Sequence, residues 1–207
     1  MEVHTHEFVA TGEDDSKFGF TVSSGLAEAA VERATVSDAV ELVGLHAHIG
    51  SQVFEVGAFS RAVEVLVAFA EPFGLPELSV GGGLGVPYVE GESAPSITEW
   101  AAGIRAVCEA AGVTALVSAE PGRAIVASAA VTLYRVGTVK DLPEIRTYVA
   151  VDGGMSDNPR PVLYGSGYET FLPRSTDSDR PRAVRVVGKH CETGDLLVRE
   201  GLSLIHI

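Results

Sequence analysis

Positive charge is in short supply in this sequence: 15 Lys and Arg stand against 28 Asp and Glu, a formal net charge of −13. Those few cations are scattered, which argues against nucleic acid or an anionic membrane as partner, because both need clustered positive charge. Cysteine is scarce as well, with Cys108 and Cys191 far apart in the chain. Two such residues form neither a disulfide framework nor a zinc-knuckle spacing. No apolar run approaches the ~20 residues of a membrane span, and Met1-Glu2-Val3-His4 has neither the basic start nor the apolar core of a signal peptide. The expectation is a cytoplasmic protein that acts on a small molecule. With 46% hydrophobic residues among 207, the chain can bury a real core.

What is present is an alternation of strand and helix patterns. "SSGLAEAAVERA" (23–34) has Leu26, Ala29, Ala30 and Arg33 at helical spacing, with two serines offered as N-cap. In "ELVGLHAHIG" (41–50), Val43, Leu45, Ala47 and Ile49 alternate with Gly44, His46 and His48, the mark of a strand with two different faces. Phe59, Ala62, Val63, Leu66, Ala70 and Phe73 then predict a long amphipathic helix. "LPELSVGGG" (75–83) reads as a short strand ending in glycine. Ser96 and Glu99 behind Pro95 form a capping box for a helix whose buried stripe is Ile97, Trp100, Ala101, Ile104, Val107, Cys108 and Ala111. Cys108 is therefore expected in the core. "TALVSAE" (114–120) reads as a buried strand.

This period of strand and helix predicts parallel strands in an α/β barrel or doubly wound sheet. After Arg123 the pattern turns β-rich without a long helix. The fold class expected is α/β: the second half of a (β/α)8 TIM-type barrel over 1–126, followed by part of an antiparallel β domain over 127–207.

Polar residues collect at the C-terminal ends of the predicted strands, where a parallel barrel builds its site. His46 and His48, two apart, share a face and suit a metal pair or a platform for a flat cofactor, or are core histidines bonded to backbone. Ser51 follows with a hydroxyl that could meet a phosphate. Gly81, Gly82 and Gly83 could close backbone N–H groups around a phosphate, or serve a tight turn. Glu120 and Arg123 in "EPGR" could bracket a small zwitterion, or pair structurally.

In order, "GLHAHIGSQ", "GGGLG", "AEPGR", "VDGGMSDNPRPVLYG" and "GKHCETGD", with the early "HTHEF" and "KFGF", resemble the pyridoxal-phosphate decarboxylases of the alanine-racemase-like fold, specifically the diaminopimelate decarboxylases. The resemblance covers residues 1 to about 200. It implies pyridoxal 5′-phosphate as cofactor and conversion of meso-2,6-diaminopimelate to L-lysine, the last step of lysine biosynthesis. It implies that His48 stacks on the pyridine ring, that Ser51 and the Gly81–Gly83 amides hold the phosphate, and that Glu120 pairs with the ring nitrogen. Arg123, Arg160 and Tyr164 match positions that bind substrate carboxylate or phosphate. Cys191 would protonate the decarboxylated carbon and Glu192 would recognise the distal amino-acid centre, both reaching the neighbouring subunit's site in a homodimer.

Some features depart from that pattern. The family's lysine that binds the cofactor covalently lies on an early barrel strand, and none of Lys17, Lys140 and Lys189 sits in its motif. An incomplete chain, inactive alone and with parallel strands unpaired at an edge, is the expectation. Ser79 stands where an acid usually precedes the glycine triplet. Gly201–Ile207 reads as a foreign tail or a frame break outside the fold. Other readings are a decarboxylase of another basic amino acid or of carboxynorspermidine, a non-catalytic binder of the cofactor or of a partner protein, and a metal-dependent barrel hydrolase using His46, His48 and a carboxylate such as Asp152.

Overall fold

The computed structural model describes residues 16–176 and 179–203. The "HTHEF" stretch lies outside them. The chain divides into two compact units, Met1–Val86 with Ser93–Ala130, and Pro87–Glu92 with Val131–Ile207. The excursion of 87–92 into the second unit has local causes: the Tyr88 ring meets Tyr168 at 5.1 Å, and the Glu90 N–H donates to Glu169 Oε1 at 2.6 Å.

The first unit alternates helices and short strands: α1 (Leu26–Thr35), β1 (Gly44–His46), α2 (Val56–Ala70), β2 (Glu77–Ser79), α3 (Ile97–Ala110), β3 (Leu116–Ser118) and α4 (Gly122–Val126). β1, β2 and β3 form a parallel sheet in that order. Its core lies between this sheet and α2 and α3, where the Phe59 and Trp100 rings pack T-shaped with centroids 5.7 Å apart. Phe59 is 2% exposed, a burial worth about 2 kcal/mol. α3 opens as its sequence predicts, with the Ser96 hydroxyl accepting the Glu99 N–H and the Glu99 carboxylate accepting the Ser96 N–H.

Several local expectations need correction. The N-cap of α1 is Gly25 at φ 77°, with no side-chain cap; the Ser24 hydroxyl donates back to the Thr21 carbonyl at 3.4 Å and accepts no helix N–H. α1 buries Ala27 and Val31 and leaves Leu26, Ala29 and Arg33 exposed. In α3 only Trp100, Ile104 and Cys108 are buried, while Ile97, Ala101 and Ala111 face out. β3 is exposed along its length instead of buried, because it has β2 on one side and is the edge of its sheet among the described residues.

The second unit is a four-stranded sheet of β4 (Val136–Leu142), β5 (Arg146–Val151), β6 (Arg182–Val187) and β7 (Leu196–Ser203), with the single-turn helix α5 (Arg160–Tyr164). Thr147, Val149 and Val151 alternate inward along β5, and the two valines pack with Val184, Val186, Leu197 and Val198. The sheet is mixed, not antiparallel. β4–β5 and β6–β7 are antiparallel, but β5 and β6 run parallel, because the segment carrying α5 returns the chain to the same end before β6 begins. The tail expectation also fails for residues 201–203. They complete β7, pairing Gly201 with Val184, Leu202 with Ala183 and Ser203 with Arg182, and Gly201 is buried. Residues 204–207 lie outside the described residues.

Candidate active site

Register brings the first unit's site together. His46, Ser79 and Ser118 form one row across β1, β2 and β3. Beyond the strands the ladder continues in single bonds: Ala47 N–H to Ser79 O at 3.0 Å, Val80 N–H to Ser118 O at 3.0 Å, and Glu120 N–H to Gly81 O at 2.8 Å. That last bond holds Glu120 beside the glycine triplet at the C-terminal edge of the sheet.

The Glu120 carboxylate is gripped at both oxygens. The Ser79 hydroxyl donates to Oε1 at 3.0 Å, and His46 Nε2 lies 3.4 Å from Oε2. Both His46 and Glu120 remain more than half exposed, so this contact contributes orientation more than stability. The His46 and His48 rings lie nearly parallel, 14° apart with centroids at 6.3 Å, so the two-residue spacing does place them on one face. The Gly82 N–H donates to His48 Nδ1 at 3.2 Å. A neutral His48 ring therefore carries its proton on Nε2.

The glycines answer first to the backbone. A Cβ at Gly81 would run into the Ala47 carbonyl oxygen, one at Gly82 into that of Glu120, and one at Gly83 into that of Gly50. Gly81 and Gly83 also hold φ of 66° and 100°, which side chains disfavour. Two of the three amides have partners here, Gly81 N–H on Ser79 Oγ at 3.4 Å and Gly82 N–H on His48 Nδ1. Ser51 is half-buried in the loop after β1, and Arg123 half-buried on α4.

In the second unit, α5 brings Arg160 and Tyr164 together, with the guanidinium carbon 5.2 Å from the ring centroid. Arg160 Nε is buried and has no hydrogen-bond partner among the described residues. Cys191 and Glu192 are exposed in the turn between β6 and β7, where the Glu192 N–H donates to the His190 carbonyl and the Asp195 N–H to that of Glu192. Cys108, by contrast, is buried in α3, and burial pushes its thiol up from the ordinary cysteine value. Among the described residues, no group of three His, Cys, Asp or Glu could hold a metal ion. Asp152 is instead occupied by the Arg135 N–H, at 2.8 Å.

Residues 1–127 match the family described as pyridoxal-dependent decarboxylase, pyridoxal binding domain. The chain belongs to the pyridoxal-dependent decarboxylases. The cofactor of this family is pyridoxal phosphate. Diaminopimelate decarboxylase from Synechocystis is 45% identical over 97% of this chain and 44% of its own length, and that from Mycobacterium tuberculosis is 43% identical over 97% and 49%. Among solved structures, diaminopimelate decarboxylase from Helicobacter pylori complexed with L-lysine superposes with a TM-score of 0.81 at 29% identity, covering 95% of this chain and 48% of that one. The chain thus spans about half the length of these decarboxylases. The expected fold class holds, with the mixed second sheet as its correction.

The residues present fit this cofactor. A flat imidazole and a fixed carboxylate stand together at the ends of parallel strands, beside a stretch of backbone kept bare of side chains. Sequence reasoning named His48 and Glu120 but missed what orients Glu120. The pattern of the sequence offers His46 as a metal ligand, a cofactor platform or a core histidine and Ser79 as a departure, and the registered row that joins them is not visible in a linear pattern.

Proposed function

We propose that this chain supplies the cofactor site and part of the substrate site of a decarboxylase that converts meso-2,6-diaminopimelate to L-lysine and CO₂. The observation that carries the reading is the Glu120 carboxylate, held by His46 and Ser79 beside His48 within the family's pyridoxal binding domain. When bound, pyridoxal phosphate supplies an electron sink for the electron pair left as CO₂ departs. Glu120 would pair with the ring nitrogen, and its charge would favour a proton there. His48 would stack on the cofactor ring. Ser51 and the amides of Gly81–Gly83 would hold the phosphate. Arg123, Arg160 and Tyr164 receive substrate carboxylate or phosphate, Glu192 takes the distal ammonium, and the Cys191 thiol gives its proton to the carbon that lost CO₂. L-lysine in the Helicobacter pylori complex supports the product assignment.

The protein works in the cytoplasm as a homodimer in which Cys191 and Glu192 complete the partner's site. The test uses a protein completed to the length of the relatives. Supplied with diaminopimelate and pyridoxal phosphate, it should release CO₂ and L-lysine in equal amounts; ornithine or carboxynorspermidine as the preferred substrate would overturn the reading. Mixed dimers of Cys191→Ala with a variant lacking the cofactor-binding lysine should regain activity at one of their two sites. Mixed dimers that form and stay inactive would refute the shared site.

A further inference from the structure

Asp195 is 3% exposed, and a carboxylate tolerates such burial only when its oxygens are well bonded. Oδ1 accepts the Met155 N–H at 2.6 Å, and Oδ2 accepts the His190 N–H at 2.7 Å. The two amides belong to different loops, one between β5 and α5, the other between β6 and β7. Glycine makes room for the anion: a Cβ at Gly154 would come within 2.8 Å of both carboxylate oxygens, and one at Gly188 would collide with the same group. Two further bonds join the same loops, Lys189 N–H to Gly153 O at 2.9 Å and Ser156 Oγ to His190 Nε2 at 2.8 Å.

The joined loops bear different parts of the proposed machinery. One leads directly into α5, where Arg160 and Tyr164 pack together. The other presents Cys191 and Glu192. We infer that Asp195 is a positioning residue whose carboxylate locks the Cys191–Glu192 turn to the loop that launches the Arg160–Tyr164 helix. Those side chains then keep a fixed spacing, and none of them has to be ordered when substrate arrives. An anion suits the task because both bonds are charge-assisted and each oxygen serves one loop. Asparagine has the same size but only one acceptor oxygen, and its amide group would face one of the two N–H donors.

The inference rests on the roles proposed for Cys191, Glu192, Arg160 and Tyr164, but the lock itself can be read without turnover. In the ¹⁵N-labelled 207-residue chain, amide hydrogen exchange should show Met155 and His190 protected together. Asp195→Asn should speed exchange at both amides by at least about tenfold, with Val149 and Val186 in the adjoining strands unchanged. Cys191 should react severalfold faster with iodoacetamide as its turn loosens. Exchange unchanged at either amide would overturn the inference, as would equal acceleration through β5 and β6, which is the signature of a general structural role. If Asp195→Asn does not fold, the unsubstituted chain still decides: a Met155 or His190 amide exchanging as fast as an exposed loop amide means no lock. An intact lock in a completed protein that leaves diaminopimelate untouched would count against the proposed function alone.

Discussion

The Ser79 hydroxyl donates to Glu120 Oε1 at 3.0 Å while accepting the Gly81 N–H at 3.4 Å, so one serine links the glycine triplet to the carboxylate. An ionised acid at position 79 could not donate in this way and would set a second negative charge against Glu120.

In a protein completed to the relatives' length, Glu120→Gln should lower kcat by on the order of 10², with a much smaller loss of cofactor affinity, because the lost charge matters most as electrons flow into the ring. Ser79→Ala, which removes one donor and leaves the charge, should cost about tenfold or less in kcat. Steady-state kinetics beside cofactor titration separates the two effects. Unchanged turnover in Glu120→Gln would remove Glu120 from the site.

The two thiols should behave differently toward iodoacetamide. Cys108 is buried in α3 with its thiol pushed up by burial, whereas Cys191 is exposed. Intact-mass measurement of the folded chain near pH 8 should show one adduct, mapped to Cys191, and a second only after denaturation. Two adducts on folded protein would mean that α3 does not pack as described.

The capping box of α3 should make part of the stability depend on acid. The Ser96 backbone N–H, and then its hydroxyl, hold the Glu99 carboxyl below the usual carboxylate range. A depressed folded value means that this contribution is present above the unfolded value and lost as pH falls through the folded one. The difference in Tm between the unaltered chain and Glu99→Ala should therefore shrink as pH falls below ~4. Ser96→Ala should cost about 1 kcal/mol at neutral pH, read by urea unfolding.

Ending the chain after Glu200 should destabilise the second unit. Gly201, Leu202 and Ser203 pair with β6, and the Thr170 hydroxyl donates to the Leu202 carbonyl at 3.1 Å. A drop in the melting temperature of the β4–β7 sheet is expected, and an unchanged melting curve would show the end of β7 to be dispensable.

Much of the site was legible because its chemistry is local in sequence. His46 and His48 lie two apart and so share a face, the glycine triplet falls where a strand ends, and Cys191 and Glu192 sit in one turn. Ser96 and Glu99 declared the start of α3 for the same reason: a capping box is contained within four residues. What the tertiary structure alone decided depends on residues far apart in the chain. The parallel register of β1, β2 and β3 sets Ser79 beside Glu120, 41 positions away in sequence. The crossover between β5 and β6 makes the second sheet mixed, since turn residues mark where a strand ends but not the direction of the next. Asp195 is buried between two loops whose amides meet only when β5 and β6 pair. Side-chain spacing along a strand or helix is set by backbone geometry and can be read from the order of residues, whereas strand neighbours are chosen by packing the whole core.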